Sequence, residues 1–371
     1  MACVSFRTMS ENMDNIKPAE NFQLGTLCHG GRGPADKESI SREMMCSIVD
    51  AILGPVPTHV QILPWHRWGA MLFSFRYLIE EDRGVVWGQI IDNFGIHSAC
   101  VLRNGRILFT AASGFYEATP KQFAERDGQM SRPLLQKNNC GLVFRSQMHI
   151  EPLGSDKILC VRAIVKYPRN RIHSTRNVIY NMSDGTLTIM HHRKIHAFSY
   201  TVRCTPMHDG NVLITNIEFS GTNDSVTPNC FILSHATLKF KPRAAMGHPR
   251  WDYGSCTTIT GTIFTCGGHR FTEIGSSRAS CVCEEYDPAA DKWTTLPPLE
   301  YACSNTQCIT LPDGKILVVA DAYNRVADPW PEPQSGFCGV YDISMGGVFT
   351  LRAIPGRWSS TFIMVACDDT E

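Results

Sequence analysis

Residues 250–299 read RWDYGSCTTITGTIFTCGGHRFTEIGSSRASCVCEEYDPAADKWTTLPPL. The stretch contains three short runs rich in β-branched, aromatic and small residues, at Ser255–Thr260, Thr262–Cys266 and Ser280–Tyr286. Each run ends at a glycine, a glycine pair or an Asp-Pro dipeptide. Runs of this length and composition, bounded by turn residues, are typical of β-strands. With Trp293 and the Leu-Pro-Pro-Leu segment that follows it, the stretch predicts one four-strand unit.

The unit recurs along the chain. A tight turn between two apolar runs is found at Gly105, Asp156, Gly210, Gly261 and Gly314, and the successive steps are 51, 54, 51 and 53 residues. Asn-Gly and Asp-Gly dipeptides at several of these turns provide the positive φ angles that a two-residue hairpin requires. A period of about fifty residues with several strands in each copy is typical of propeller blades, which must stack on their neighbours to bury both faces.

The best copy resembles a kelch repeat, which has a double glycine followed by spaced tyrosine and tryptophan residues. Here these are Gly267-Gly268, Tyr286 and Trp293, and the next copy keeps Tyr341. The resemblance covers roughly residues 97–366, and outside residues 250–299 and the adjacent copy it rests mainly on the period. It implies an all-β, kelch-type β-propeller. In that family the glycine pair and the aromatic residues pack strands and blades together, so we interpret all five as structural.

The expected number of blades depends on which residues complete the last copy of the repeat, because the chain contains only its beginning. Complete copies begin near His97, His149, Tyr200, Arg250 and Tyr301, and residues 357–367 begin another. Apolar runs at 70–79 and 85–91 lack the first half of a repeat, so we expect them to supply the rest of that blade. Residues 57–371 then form a propeller of six blades, closed by pairing of its N- and C-terminal strands. Seven blades result instead if residues 46–63 form a degenerate strand pair.

The first 56 residues lie outside the repeats. Residues 1–35 are polar and glycine-rich toward their end, which indicates a flexible arm. Residues 36–56 predict an amphipathic helix and a connector, because apolar residues recur at helical spacing before the stop signal Gly54-Pro55. We interpret this helix as one that packs on the propeller; a partner-binding helix is the alternative.

Composition excludes several partner classes. The chain has 371 residues, 43% of them hydrophobic, and its 35 basic and 35 acidic residues give no formal net charge. Neutral charge provides no electrostatic reason to expect nucleic acid or an anionic membrane as a partner. No apolar run approaches the length of a membrane span, and the N-terminus lacks the order of a signal peptide. We therefore expect a cytoplasmic protein, with a nuclear one as the alternative; the oligomeric state is left open.

The sixteen cysteines are expected to be reduced and to bind no metal. Six of them lie in predicted strands, where a free thiol behaves as a small apolar side chain: Cys100, Cys160, Cys230, Cys256, Cys266 and Cys308. Neither Cys281 with Cys283 nor Cys303 with Cys308 has the paired spacing of a zinc site. The histidines at 191, 192 and 196 place at most two ligands on one strand face. The sequence predicts no cofactor.

The candidate partner-binding residues lie in loops just outside the predicted inner strands. Propeller loops converge on the central channel, so a mixed ring of charges there suits an acidic peptide or a sugar acid. Trp330 adds an aromatic side chain in a proline-rich loop. The candidates are Arg250, His269, Arg270, Arg278, Arg325 and Trp330, with Asp321 and Asp328 beside them.

The function that this pattern favours is a non-catalytic protein-interaction module, a scaffold that presents propeller loops to a protein partner. No phosphate-binding loop, nucleophile elbow or His-Glu-x-x-His motif occurs in the chain. One alternative is an enzyme acting on a sugar or sugar acid at the propeller mouth, by analogy with kelch-type epimerases. A further alternative is a copper radical oxidase; in those enzymes a ligand tyrosine directly precedes a histidine. Here Ile96 precedes His97, and no Tyr-His dipeptide occurs.

Overall fold

A computed structural model of the chain divides into two compact units, Met1–Val56 and Pro57–Glu371. All the residues whose structure is described lie in the second unit. They are residues 57–64, 72–81, 83–90, 96, 98–102, 104–111, 114–125, 135–136, 142–143, 149–166, 173–190, 202–219, 226–271, 277–325, 334–352 and 362–367. The arm expected at 1–35 and the helix expected at 36–56 lie outside the described residues.

The described part is built almost wholly of short strands. The first twelve are β1 (His59–Pro64), β2 (Leu72–Leu78), β3 (Arg83–Ile90), β4 (Ser98–Val101), β5 (Ile107–Ala111), β6 (Gly114–Ala118), β7 (Leu135–Gln136), β8 (Leu142–Val143), β9 (His149–Leu153), β10 (Lys157–Lys166), β11 (His173–Asn181) and β12 (Leu187–Met190). The next eight are β13 (Arg203–Pro206), β14 (Val212–Phe219), β15 (Val226–Leu233), β16 (Phe240–Arg243), β17 (Gly254–Thr257), β18 (Ile263–Cys266), β19 (His269–Phe271) and β20 (Ser277–Ala279). The last seven are β21 (Cys283–Asp287), β22 (Lys292–Leu296), β23 (Tyr301–Thr310), β24 (Ile316–Arg325), β25 (Gln334–Asp342), β26 (Val348–Arg352) and β27 (Phe362–Cys367). One short helix, α1, spans Pro120–Glu125.

The strands pair antiparallel in sheets that follow the order of the chain. The closing sheet has the order β27-β1-β2-β3, and the β4 sheet has the order β4-β5-β6-β7. The β13 sheet contains β13 to β16, the β17 sheet contains β17, β18, β21 and β22, and the β23 sheet contains β23 to β26. In the β9 sheet, β10 pairs with β11, β8 and β9, and β12 lies beyond β11. Strands β19 and β20 form a separate two-stranded ribbon.

These sheets confirm the all-β propeller fold and correct the uniform four-strand blades expected from the repeat. The described part contains five four-stranded blades and not the six that were expected, and the β9 sheet has five strands. The difference arises at β10, whose first half pairs with β9 while its second half pairs with β8 beyond an irregularity between Cys160 and Ala163. The residues 59–63 on which the seven-blade alternative depended lie in β1 of the closing sheet, and residues 46–56 lie outside the described part.

The closing sheet joins the two ends of the propeller. β1 pairs antiparallel with β27 over six residues, with His59 opposite Cys367 and Pro64 opposite Phe362. On its other side β1 pairs with β2, with His59 opposite Leu78. The last described strand is therefore the first strand of a sheet whose other three strands come from the beginning of the described chain. Pairing of this kind leaves no free edge between the two ends.

The core consists of apolar clusters that each join two neighbouring sheets. One example is the cluster between the closing sheet and the β4 sheet, which contains Leu63 and Val365 from the first and Phe109 from the second. Similar clusters join each sheet to the next, through to the one in which Val60 and Met364 of the closing sheet meet the β23 sheet. Burying one such side chain stabilises the fold by about 1.5–3 kcal/mol, so the stacking of sheets dominates stability.

The first strands of the sheets follow one another in a closed cycle. β4 contacts β9, β9 contacts β13, β13 contacts β17, and β17 contacts β23. β23 contacts β27, and β27 contacts β4. The turns expected at about fifty-residue intervals all lie directly after these strands, between the first and second strand of a sheet. All these turns therefore lie at one end of the central channel, and the residues that precede each first strand lie at the other.

The aromatic residues of the kelch repeat connect neighbouring sheets. Tyr286 is completely buried and donates a 2.7 Å hydrogen bond from Oη to Asp291. Trp293 donates from Nε1 to the carbonyl oxygen of Ala244, which follows the last strand of the β13 sheet, at 2.8 Å. Tyr341 of the β23 sheet likewise donates to the carbonyl oxygen of Pro297 in the β17 sheet, at 2.7 Å. In the β17 sheet Trp293, and in the β23 sheet Tyr341, thus forms a hydrogen bond to the segment that directly follows the last strand of the preceding sheet.

Three general properties of the described residues bear on function. Among the described helices, none combines the length and the hydropathy needed to cross a membrane. The cysteines in the described part are free thiols, and most are buried; Cys281 and Cys308 are partly exposed. No three His, Cys, Asp or Glu side chains in that part of the chain are arranged to hold a metal ion.

Candidate functional site

The ribbon formed by β19 and β20 carries two of the residues singled out from the sequence. It leaves the β17 sheet after β18 and returns before β21, so it lies at the end of the channel opposite the repeated turns. Arg270 and Arg278 are direct partners across the ribbon. Sequence patterns at 255–299 predicted the four strands of the sheet but not this ribbon, because residues 269–279 alternate polar and apolar side chains only weakly.

The glycine pair forms the base of the ribbon. Gly267 and Gly268 have φ angles of +68° and +91°, which side-chain-bearing residues rarely adopt. Space is limited as well, since a Cβ atom on Gly267 would lie 2.6 Å from Cys303 Sγ, and one on Gly268 would lie 2.6 Å from the carbonyl oxygen of Trp251. The amide of Gly268 donates to the carbonyl oxygen of Cys303 at 2.8 Å. The pair therefore attaches the ribbon closely to the starts of β17 and β23.

Backbone and ring contacts hold the first residue of the ribbon. The amide of Trp251 donates to the carbonyl oxygen of His269 at 3.0 Å, and the amide of His269 donates back to Trp251 at 2.7 Å. The two rings also stack, with centroids 5.5 Å apart. Burial lowers the pKa of His269, which favours the neutral imidazole. His269 is thus a partly buried anchor rather than an exposed binding group.

Arg270 and Arg278 form an exposed pair of like charges. Both side chains are exposed, and their Cα atoms are opposite each other in the ribbon. No ion pair among the described residues includes either guanidinium. Like charges directly opposite each other destabilise a two-stranded ribbon. Their juxtaposition therefore has a cost in the free protein, which a bound anionic group would remove.

Arg250, which was expected among the partner-binding loop residues, is buried in the structure. Its side chain is 1% exposed. The guanidinium donates to the carbonyl oxygen of Val282 at 2.6 Å and to Thr265 Oγ1 at 2.8 Å, and it forms an ion pair of 3.1 Å with buried Glu284. It thereby connects the start of β17 with β18 and β21. A charge that is paired and hydrogen-bonded can be buried, so Arg250 holds the sheet together.

Other residues singled out from the sequence are not brought into this site by the described structure. Arg325 is the last residue of β24, and its side chain lies outside what the structure describes, as does that of Asp321. Asp328, Trp330, His97 and the histidines at 191, 192 and 196 also lie outside the described residues.

A second group of polar residues lies on the first strands, around the channel. Arg203 on β13 donates from Nε to Ser255 Oγ on β17 at 3.0 Å, and from Nη2 to Gln307 Oε1 on β23 at 2.7 Å. Ser255 also shares a hydrogen bond of 2.7 Å with Thr205. Since β17 and β23 are the next two first strands after β13, this arginine reaches across the wall of the channel. Sequence analysis did not identify these residues.

Two carboxyl groups interact electrostatically with Arg203. Burial raises the pKa of Glu151, on β9, to about 8, although the charge of Arg203 opposes the shift. Burial raises the pKa of Asp252, just before β17, to about 6, again against the charge of Arg203. At neutral pH the Glu151 carboxyl is therefore mostly protonated and Asp252 mostly ionised. Where two groups with such separated pKa values reach the same substrate, one can donate a proton and the other can accept one.

A sequence signal could have found this channel group. Glu151, Arg203, Ser255 and Gln307 lie on the first strands of four successive sheets, each 52 residues after the one before. Strand periodicity alone does not distinguish a residue that faces the channel from one that faces a neighbouring sheet. The recurrence of polar residues at the repeat spacing makes this distinction, because residues that pack between neighbouring sheets would be apolar.

At the other end of the channel a cavity of about 380 Å³ lies among the repeated turns. Its lining includes Leu102 after β4, Pro152 of β9, and Met207 and His208 after β13. The exposed lining is mainly apolar, and three sheets contribute to it. It is a separate surface from the ribbon, because each first strand runs from one end of the channel to the other.

Comparison with known proteins adds one match. Residues 250–300 match the family profile described as Kelch motif. The matched segment contains the whole β17 sheet, the ribbon and the glycine pair at its base. No curated protein matches the chain.

Proposed function

We propose that this chain, a β-propeller whose residues 250–300 match the Kelch motif, acts as a non-catalytic interaction module that binds an acidic segment of a protein partner through the β19–β20 ribbon. Kelch repeats commonly mediate protein–protein interaction, and the matched repeat is the one that carries the ribbon. A rigid ring that presents one projecting ribbon suits a scaffold. Since the described cysteines are free thiols, we propose the reducing cytoplasm as its location.

The observation that supports this function is the exposed Arg270–Arg278 pair. Guanidinium groups bind carboxylates through two parallel hydrogen bonds, and arginine is enriched among the residues that dominate binding energy at interfaces. Two arginines opposite each other on one ribbon place two such groups side by side. A partner segment with neighbouring Asp or Glu residues would satisfy both and would remove their mutual repulsion.

The proposed scaffold is a ring of six blades. This count treats the five-stranded β9 sheet as a blade with one additional edge strand, β8. The closed cycle of contacts among β4, β9, β13, β17, β23 and β27 supports it. A closed ring gives the ribbon a fixed base, and a fixed base reduces the conformational entropy that is lost when a partner binds.

The test compares charge reversal on the ribbon with charge reversal elsewhere. Arg270→Glu/Arg278→Glu is compared with Lys121→Glu/Lys239→Glu, which makes the same charge change at two exposed lysines away from the ribbon, one in α1 and one just before β16. Each protein is used to capture partners for quantitative mass spectrometry and to bind a labelled hexaglutamate peptide by fluorescence anisotropy. We expect the ribbon variant to lose peptide affinity at least tenfold, and the control to keep it. Equal capture and equal affinity in all three proteins would exclude the ribbon as the binding surface.

The channel group supports a second candidate function, an enzyme that acts on a sugar or sugar acid at the propeller mouth. Arg203 provides a cation for the carboxylate of the sugar acid. Protonated Glu151 and ionised Asp252, both near Arg203, provide an acid and a base. Incubation with a panel of sugar acids, followed by NMR for epimerised product, tests this function. Activity that Arg203→Met and Glu151→Gln abolish would favour it over the interaction module.

A further inference from the structure

Six thiols lie together between the β17 sheet and the β23 sheet, and four of them contact one another in turn. Cys256, Cys266 and Cys283 come from the β17 sheet, and Cys308 comes from β23. The sulfur atoms of Cys266 and Cys308 are 3.4 Å apart. Cys266 also has a side-chain hydrogen bond with Cys283, and Cys308 has one with Cys256. The cluster therefore forms a chain of sulfur contacts that crosses from one sheet to the next.

The backbone provides the space that brings Cys308 to Cys266. A Cβ atom on Gly254 of β17 would lie 2.5 Å from Cys308 Sγ, so the sulfur occupies room that only glycine leaves at that position. Cys266 is completely buried beneath it. A disulfide has a sulfur–sulfur length of about 2.05 Å, so a small rotation of the two side chains would bring the atoms into bonding distance. The pair is thus arranged for a covalent bond between sheets.

We propose that Cys266 and Cys308 form an oxidation site, at which hydrogen peroxide converts the two thiols into a disulfide that links the β17 and β23 sheets. The sulfur of Cys308, as thiolate, attacks one peroxide oxygen, the O–O bond breaks and a sulfenic acid and hydroxide result. The Cys266 thiolate then attacks that sulfur, the S–S bond forms and a second hydroxide leaves. The two sulfurs lose two electrons in total, the peroxide gains them, and with the thiol protons two waters are produced.

Exposure determines which sulfur reacts first. Cys308 is partly exposed, whereas Cys266 and Cys283 are buried. We therefore expect peroxide to reach Cys308 first, and the sulfur of Cys266, 3.4 Å away, to resolve its sulfenic acid. Cys266 is also directly opposite Cys283 in the sheet, which makes that pair the competing product. The attack on Cys308 favours the link between sheets over the one within a sheet.

The bond would be formed at the base of the ribbon. Cys266 directly precedes Gly267-Gly268, from which the ribbon begins. Burial raises the pKa of both Cys266 and Cys308 well above the usual value for a thiol, so the reactive thiolates are scarce at neutral pH. The reaction is accordingly slow at pH 7 and accelerates about tenfold for each pH unit below the pKa of the attacking thiol.

The test is to treat the fully reduced, folded chain with hydrogen peroxide, block remaining thiols with N-ethylmaleimide, and map peptides without reduction. We expect one major disulfide, between Cys266 and Cys308, formed faster at pH 9 than at pH 7. Cys283→Ser and Cys256→Ser should still form it, and Cys308→Ser should not. The disulfide map of the wild-type chain tests the proposal without relying on the folding of any variant. A Cys266–Cys283 product, or no cross-link before the chain unfolds, would overturn the proposal.

Discussion

Arg203 donates a 2.7 Å hydrogen bond to Gln307, a residue 104 positions further along the chain and two first strands away around the channel. The same guanidinium donates to Ser255 on the strand between them. One side chain therefore connects three sheets at the point where they meet. The sheets are otherwise joined mainly by apolar clusters, so Arg203 is a polar connection placed on the inner wall.

Replacement of Arg203 by Met is expected to lower the free energy of unfolding by about 2–3 kcal/mol, because two hydrogen bonds are lost and Glu151 and Asp252 lose a nearby positive charge. Urea denaturation at pH 7 measures the change. The control is Lys315→Met, which breaks a solvent-exposed ion pair with Asp313 and should cost under about 0.5 kcal/mol. Equal effects of the two replacements would contradict the role assigned to Arg203.

Glu151 makes stability fall as pH rises. Its pKa is about 8 in the folded protein and about 4.3 when unfolded, so between these values the folded state binds more protons than the unfolded state. The free energy of unfolding therefore decreases from pH 5 to pH 8. Glu151→Gln removes this contribution, and we expect a smaller decrease, with a gain on the order of 2 kcal/mol at pH 8. Urea denaturation at several pH values tests this, with exposed Glu300→Gln as control.

Alanine at Gly267 is expected to destabilise the fold by more than about 2 kcal/mol, because it combines an unfavourable φ angle with a contact of 2.6 Å to Cys303 Sγ. Gly105→Ala is the matched control. Its φ angle of +77° is similar, but no heavy atom lies within 4 Å of the added Cβ. It should cost about 1 kcal/mol. Thermal or urea denaturation of the two variants measures the loss of stability. The larger loss expected for Gly267→Ala is the part that comes from the close contact and not from the φ angle.

Arg250→Met should destabilise the protein by about 3–5 kcal/mol, because Glu284 remains buried at 1% exposure without its ion-pair partner. The double variant Arg250→Met/Glu284→Gln should recover part of that loss, since a neutral amide can still accept the hydrogen bonds from the amides of Gly247 and His248. A double-mutant cycle by urea denaturation gives the coupling energy. Additive effects would show that the two residues do not act as a pair.

Much of the fold could be predicted because a propeller repeats one local pattern. The turns near Gly105 and Gly261 define hairpins by backbone conformation alone, and the spacing between them defines the copies. The glycine pair, Tyr286 and Trp293 identified the family for the same reason. The additional strand β8 could not be predicted, because it depends on a backbone irregularity in β10 rather than on a residue pattern.

The site was less predictable, because exposure is not a local property. Arg250 and Arg270 are both arginines near the ends of strands, yet Arg250 is buried by contacts with Val282, Thr265 and Glu284 while Arg270 is exposed. Those contacts come from strands that are distant in the sequence. For Arg203, which sequence analysis did not identify, the signal that could have been used is the recurrence of polar residues at 52-residue spacing.

The pairing of β1 with β27 also has a consequence for synthesis of the protein. β1 is made early, and the strand that covers its inner edge is the last one described. Until the ribosome has released β27, β1 has an unpaired backbone edge, and the first and last sheets cannot meet. Unpaired edges of this kind attract other chains. The growing polypeptide is thus exposed to aggregation through this edge of β1 until β27 has been made, which makes this interval the natural point for a chaperone to bind.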